Sequence, residues 1–253
     1  MLFTFENYQL LLETLLRRGL QNLTIADYLE TRPTDDFFIL RHDVEWNPDK
    51  ALDVARLEIS LGLRASYYFH GPNRQRVFNT RVMAEMQKMG HEIGYHYETL
   101  DRAGGDMRAA RELFESDISM FRGAGLSLRT VAYHGNPRVT RVTYQHNGDM
   151  IKRDRDILRA NQLLGEAYLS IDSQTMEHIS DVGVQFSTVQ GRHGGVLEYL
   201  KSAERTRLYV LTHPDYWSRS AVRAFGLQRA AMAMRACRPV AKAAWAMKDR
   251  VSR

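Results

Sequence analysis

Acidic and imidazole side chains recur in this chain in pairs whose spacing suits a common site. Asp43 and Glu45 close one apolar run, His96 and Glu98 close another, and His134 and His213 follow two more. Residues two apart on a β-strand face the same side, so Asp43 and Glu45 point together, as do His96 and Glu98, while His42 and Val44 point the other way. Two carboxylates at one strand end and a histidine plus a carboxylate at another form a mixed N/O set able to hold a divalent metal. Charge argues the same way: acids meeting in one cleft repel one another, and a divalent ion relieves that without raising their pKa values. A metal so held polarises a carbonyl oxygen and makes hydroxide available near neutrality, which makes hydrolysis the expected chemistry. A second base would take the water proton, and a histidine across the site would protonate the leaving group.

Other chemistries lack their signatures. Neither GxGxxG nor GxxxxGK[ST] follows an early strand, which removes the phosphate-loop readings, and no GxSxG elbow supports Ser/His/Asp hydrolysis. The single cysteine, Cys237, excludes an intramolecular disulfide and a CxxC metal site.

The elements that must position these groups alternate. Phe5, Tyr8, Leu11, Leu12, Leu15 and Leu16 recur at helical spacing and predict an N-terminal helix ending near Gly19. Phe37 to Val44 reads as a strand, and Asn47 with Pro48 as the cap and first residue of a helix running to Gly62. Strands are expected at 65–70, 91–98, 130–134, 168–171 and 208–212, and helices at 82–89, 107–121 and 152–164. Such alternation predicts a parallel sheet with helical crossovers, and polar residues gathered at strand ends match the C-terminal rim of a (β/α) barrel. The 253 residues suffice for one such domain.

Formal charge is +5, but it is unevenly placed. From Ser220 to Arg253 eight basic residues stand against one acid, Asp249, so the remainder of the chain is slightly acidic. Residues 1–218 are expected to form the barrel and 219–253 a basic, amphipathic helical tail, interrupted at Pro239. That tail either packs on the body or lies on an anionic membrane surface; nucleic acid is the weaker reading, since the body lacks basic character. Neither a signal peptide nor an apolar run long enough to span a bilayer is found, so the expected address is cytoplasmic, with peripheral membrane contact through the tail left open.

Leu40-Arg-His-Asp-Val-Glu45, Gly90-His-Glu-Ile-Gly-Tyr-His-Tyr-Glu98 and Leu211-Thr-His-Pro-Asp-Tyr-Trp217 resemble the first, second and last motifs of the polysaccharide deacetylase family, the NodB-homology carbohydrate esterases. Arg64-Ala-Ser-Tyr-Tyr-Phe69 resembles its second strand, and His134-Gly-Asn-Pro-Arg138 and Ser180-Asp-Val-Gly183 its third and fourth motifs. The resemblance spans about residues 37 to 218 and implies a distorted (β/α)7 barrel that removes an N-acyl group from a sugar with a divalent metal. Zinc is the first choice of metal, with Mn2+, Co2+ or Ni2+ as alternatives. Residue by residue, it makes Asp43 the general base, Glu45 and His96 metal ligands, His213 the general acid and Asp181 the acid's orienting partner. The family usually has Asp where Glu45 stands, and its second metal histidine falls where this chain has Leu100. Glu98 is the replacement candidate, followed by His134. Chains of this kind suggest an N-acetylated sugar of a bacterial surface polysaccharide, a lipopolysaccharide or a lipid-linked precursor as substrate. Deformylation of a formamido sugar and a degenerate, non-catalytic carbohydrate-binding barrel are the alternatives.

Blander readings accompany the sharp ones. Asp43 could form a salt bridge with Arg41 at the strand end, and Asn136 and Arg138 could touch substrate or brace the site. Trp217, Tyr216 and Phe186 suit either a sugar-stacking wall or packing under the rim. His91 is expected to bond to backbone, and His42, His70, His146, His178 and His193 to be surface or packing residues.

Overall fold

The structure, a computed structural model, describes residues 1–136, 139–172, 174–188, 195–202 and 206–234. Its chain opens with helix α1 (Phe5–Leu16), which starts where the Thr4 side chain accepts the Asn7 N–H and buries Tyr8, Leu11, Leu12 and Leu15. Strand β1 (Gln21–Leu23) and helix α2 (Ile25–Thr31) follow, neither expected from the sequence. Both are short, and the helix owes its start to a reciprocal capping box between Thr24 and Asp27. Strand β2 (Phe37–Val44) is buried along its whole length, as an apolar run between two covered faces requires. Helix α3 (Pro48–Ser60) begins at the predicted Asn47 cap.

Alternation continues through β3 (Ser66–His70), α4 (Thr80–Lys88), β4 (Glu92–Tyr97), the single turn α5 (Thr99–Arg102), α6 (Met107–Gly123) and β5 (Leu128–Tyr133). The expected helix at 152–164 is instead two short ones, α7 (Asp149–Arg153) and α8 (Asp156–Ala160). They are broken at Asp154, whose non-helical backbone goes with a 2.6 Å ion pair to Arg111. The expected strand at 168–171 is a turn. Its cause is Glu166 in β6 (Gly165–Glu166), whose buried carboxylate accepts the Tyr168 and Leu169 N–H groups and so takes them away from any ladder. Strands β7 (Glu177–Ser180) and β8 (Ser187–Thr188), helix α9 (Val196–Ser202) and strand β9 (Arg207–Thr212) complete the body.

The strands run in the order β6-β5-β4-β3-β2-β9-β7-β8, with β1 also on β2. Among the described residues every strand pairing is parallel except β7 with β8. Seven parallel strands, β6 to β7 in that order, thus form a distorted (β/α)7 barrel. One apolar cluster lies between the sheet and its helices; the other fills the inside of the cup. Ile25, Tyr28 and Leu29 of α2 close the lower end of that cup against Phe37, Ile39 and Tyr209. Gly94 lies against Tyr68, and a Cβ there would overlap the Tyr68 ring, so this position on β4 needs a glycine.

Residues 221–234 form a further helix, resting on the body through Ala224 and Ala231. The remainder of the predicted tail, including Pro239 and Cys237, lies outside the described residues. Among the described residues no helix is long and apolar enough to cross a membrane.

Candidate metal and catalytic site

Successive parallel strands deliver one side chain each to the same rim. Glu45 follows β2, His70 ends β3, His96 is on β4, and His134 follows β5. His70 and His96 are register partners on neighbouring strands. One ligand atom from each of these four residues lies within 4.8 Å of the others. His70 Nε2 is 3.0 Å from Glu45 Oε2, and His96 Nε2 and His134 Nε2 are each 3.5 Å from Glu45 Oε1.

This donor set fits a divalent transition metal. His96 Nδ1 lies 3.1 Å from the Ala132 carbonyl and His134 Nδ1 3.1 Å from Glu98 Oε2, so both rings can keep a proton on Nδ1 and use Nε2, the nitrogen facing the cluster, as the ligand atom. Burial pushes His70 down to about 4, keeping it a neutral imidazole, and its Nδ1 is buried without a hydrogen-bond partner among the described residues. Burial would raise Glu45, but hydrogen bonds from His70 and His96 hold it far below the usual carboxylate range. Three imidazoles with one carboxylate suit Zn2+ and its first-row neighbours rather than Mg2+ or Ca2+.

His70, expected to be a surface or packing residue, is buried at the rim as a member of this cluster. The missed signal was positional: it ends its strand at the same rim as the other polar residues. Glu98 was expected to be a ligand, yet it turns away from the cluster into a cage of donors. Arg74 Nε and Nη2 reach its two oxygens at 2.9 and 2.6 Å, and Asn73 Nδ2 approaches at 3.1 Å. Glu98 caps α5, beyond the end of β4, so the alternation that aligned it with His96 no longer applies. Its contact is with His134, which it orients. Arg74 also places Nη1 3.7 Å from Glu45.

Asp43 stands beside the cluster, with Oδ2 3.6 Å from His96 Nε2. Its carboxylate is gripped by Arg41 through Nε and Nη2, each at 2.9 Å. Arg41 is itself wholly buried, bonds Tyr209 Oη and stacks 4.0 Å from the Tyr168 ring centre. Burial alone would raise Asp43, but Arg41, His96 and His213 lower it, so it stays ionised at neutral pH. The salt bridge and the site are therefore one arrangement rather than two alternatives.

Across the cup, His213 Nδ1 lies 2.6 Å from Asp181 Oδ1, and its backbone N–H donates to Asp181 Oδ2. Burial disfavours the imidazolium, but Asp181, Asp43 and Glu45 outweigh it and push His213 up to about 9. Two residues on, Asp215 accepts the N–H groups of Glu45, Trp46 and Asn47 at 2.9, 3.2 and 2.9 Å, pinning the turn that carries Glu45. Asp215 and the exposed Trp46 were not singled out from the sequence.

Of its two readings, Trp217 takes the packing one. It is fully buried, with its ring centre 4.7 Å from those of both Phe3 and Tyr8. Phe186 joins the same packing, while Tyr216 stacks on His213. His91 bonds backbone as expected, at Ala65 N and Ala55 O. His42 is buried against Glu58. Asn136 is half-buried at the β5 exit, whereas Arg138 and His193 lie outside the described residues.

No family model and no curated protein matches the chain. Solved structures do. A CE4 family pseudoenzyme from Bacillus anthracis is 14% identical with a TM-score of 0.48, the match covering 80% of this chain and 62% of that one. The catalytic domain of a peptidoglycan N-acetylglucosamine deacetylase from Eubacterium rectale is 16% identical at 0.48, covering 79% and 86%. A Streptococcus mutans CE4 esterase is 14% identical at 0.45, covering 86% and 89%. This chain thus spans less than two thirds of the Bacillus anthracis chain.

Proposed function

We propose that this chain is a polysaccharide deacetylase-type hydrolase that removes an N-acetyl or related N-acyl group from a sugar, using a divalent metal held by Glu45, His70, His96 and His134. The observation that carries the proposal is the convergence, on one rim, of that four-residue donor set with the Arg41-held Asp43 and the Asp181–His213 pair. Zinc is the preferred ion, and a bacterial surface glycan or its lipid-linked precursor the preferred substrate, acted on from the cytoplasmic side.

A bound cation of this type polarises an amide carbonyl and acidifies water. Asp43, ionised and fixed by two bonds from Arg41, is placed to receive the water proton on its carboxylate. The pairing costs Asp43 basicity but fixes its position. His213 holds one proton on Nδ1 against Asp181, leaving Nε2–H to protonate the departing amine. Counting Glu45, Glu98, Asp43 and Asp181 against Arg41, Arg74 and His213, the site carries one net negative charge. A divalent cation held there would reverse that sign, which would suit a carbonyl oxygen gaining negative charge.

Leu100, where the family's second metal histidine is expected, is buried in the apolar core. His70 and His134 supply imidazoles from neighbouring strands instead, which favours a working site over a degenerate one. Acetate and formate release from N-acetylated and N-formylated amino sugars, measured side by side with and without zinc, tests the proposal. Metal-dependent acetate release supports it, and formate alone selects the deformylase. Glycan binding with no turnover at any added metal overturns it in favour of a binding barrel.

A further inference from the structure

We infer that the exposed flanks of the C-terminal helix, residues 221–234, form a docking surface for an anionic lipid bilayer. The helix meets the barrel along a narrow line. Ala224 and Ala231 are buried, and Gln228 Nε2 donates to the Met1 carbonyl at 3.1 Å. On one side of that line Val222, Phe225 and Met232 share a flank, at offsets of three and seven residues. They are 81%, 56% and 59% exposed. On the other side Leu227 and Met234, again seven apart, are 37% and 66% exposed. Scattered single apolar residues on a surface are ordinary; five large ones on one helix, with no acidic residue among them, are not.

Charge chooses the partner. Arg223 and Arg229 lie on the same helix, and the Arg229 guanidinium sits 5.9 Å from the Phe225 ring centre, cation and apolar surface side by side. From Ser220 onward the sequence carries eight basic residues and one acid. A second copy of this surface would bring like charges together. A nucleic-acid backbone would use the arginines but leave the apolar flanks idle. Anionic lipid headgroups use both: the apolar side chains enter the headgroup boundary and the basic ones pair with phosphates. The surface is remote in sequence from the metal site and does not depend on the catalytic reading.

The full-length chain is sedimented with vesicles of phosphatidylcholine alone or containing about 30% phosphatidylglycerol. The expected result is retention on the anionic vesicles only, weakened by salt. The combined variant Val222→Gln, Phe225→Gln, Met232→Gln should then lose about tenfold or more of that retention with unchanged circular dichroism and metal affinity. Glutamine favours helix, so folding is preserved. Absence of retention on anionic vesicles overturns the inference, as does equal retention of the folded variant. Self-association in light scattering that the variant abolishes, or nucleic-acid binding with no vesicle binding, would also overturn it.

Discussion

Glu98→Gln separates a histidine held for a cation from one that merely packs. Four donors converge on the Glu98 carboxylate: Arg74 Nε and Nη2, Asn73 Nδ2 and His134 Nδ1, at 2.6 to 3.1 Å. Glutamine keeps the shape but offers one acceptor oxygen, and its NH2 must face donors. At least one charge-assisted bond is lost, worth about 1.5–3 kcal/mol. His134 then loses the partner that fixes its tautomer. Arg74, already 3.7 Å from Glu45, is freed to compete for that carboxylate. Losses of this kind weaken metal binding about 10- to 100-fold, or about 1.4–2.7 kcal/mol. Competition between the protein and a chromophoric chelator for zinc measures this directly, with thermal unfolding as the control for folding. A folded variant with the parent's zinc affinity would refute the idea that Glu98 acts through His134.

Further outcomes rest on the same geometry. Asp43→Asn should lower turnover by about 10²–10⁴ while leaving zinc affinity within a few fold, as steady-state kinetics and the chelator titration show together. His213 is raised to about 9, and as an acid it works protonated, so kcat/KM should fall as pH rises past about 9. Asp181→Asn should move that limb toward lower pH. The same shift has a stability counterpart: a raised folded pKa contributes fully below the unfolded value of about 6.5 and is lost as pH rises through about 9, readable in denaturant midpoints. Asp215→Ala strips three backbone N–H groups of their acceptor and should cost about 3 kcal/mol, a fall in Tm of about 6–12 °C, with weaker zinc binding because Glu45 is unpinned.

How much of this was legible in the sequence depended on the range of the interactions. Strand β2 and helix α3 were readable because their signals are local: a continuous apolar run, then Asn-Pro at a cap. The turn at 168–171 was not, because Tyr168 and Leu169 look like strand residues until a buried glutamate takes their N–H groups. Pairing by twos found Asp43 with Glu45 but misplaced Glu98, where the strand had already ended. His70 was overlooked because a lone histidine after Tyr-Tyr-Phe carries no partner in sequence; its partners stand on neighbouring strands. The two readings of Trp217 were separable only by tertiary contacts, since an aromatic in a catalytic motif can serve the packing of the N-terminal helix.

The account turns on one centre, and anomalous scattering from crystals grown with zinc tests it most directly. It predicts a single strong peak bonded to Glu45, His70, His96 and His134 at about 2.0–2.2 Å, with Glu98 held away from the ion by Arg74. No peak at saturating zinc, or an ion bound by Asp43 and Glu98 with His70 turned aside, would contradict it.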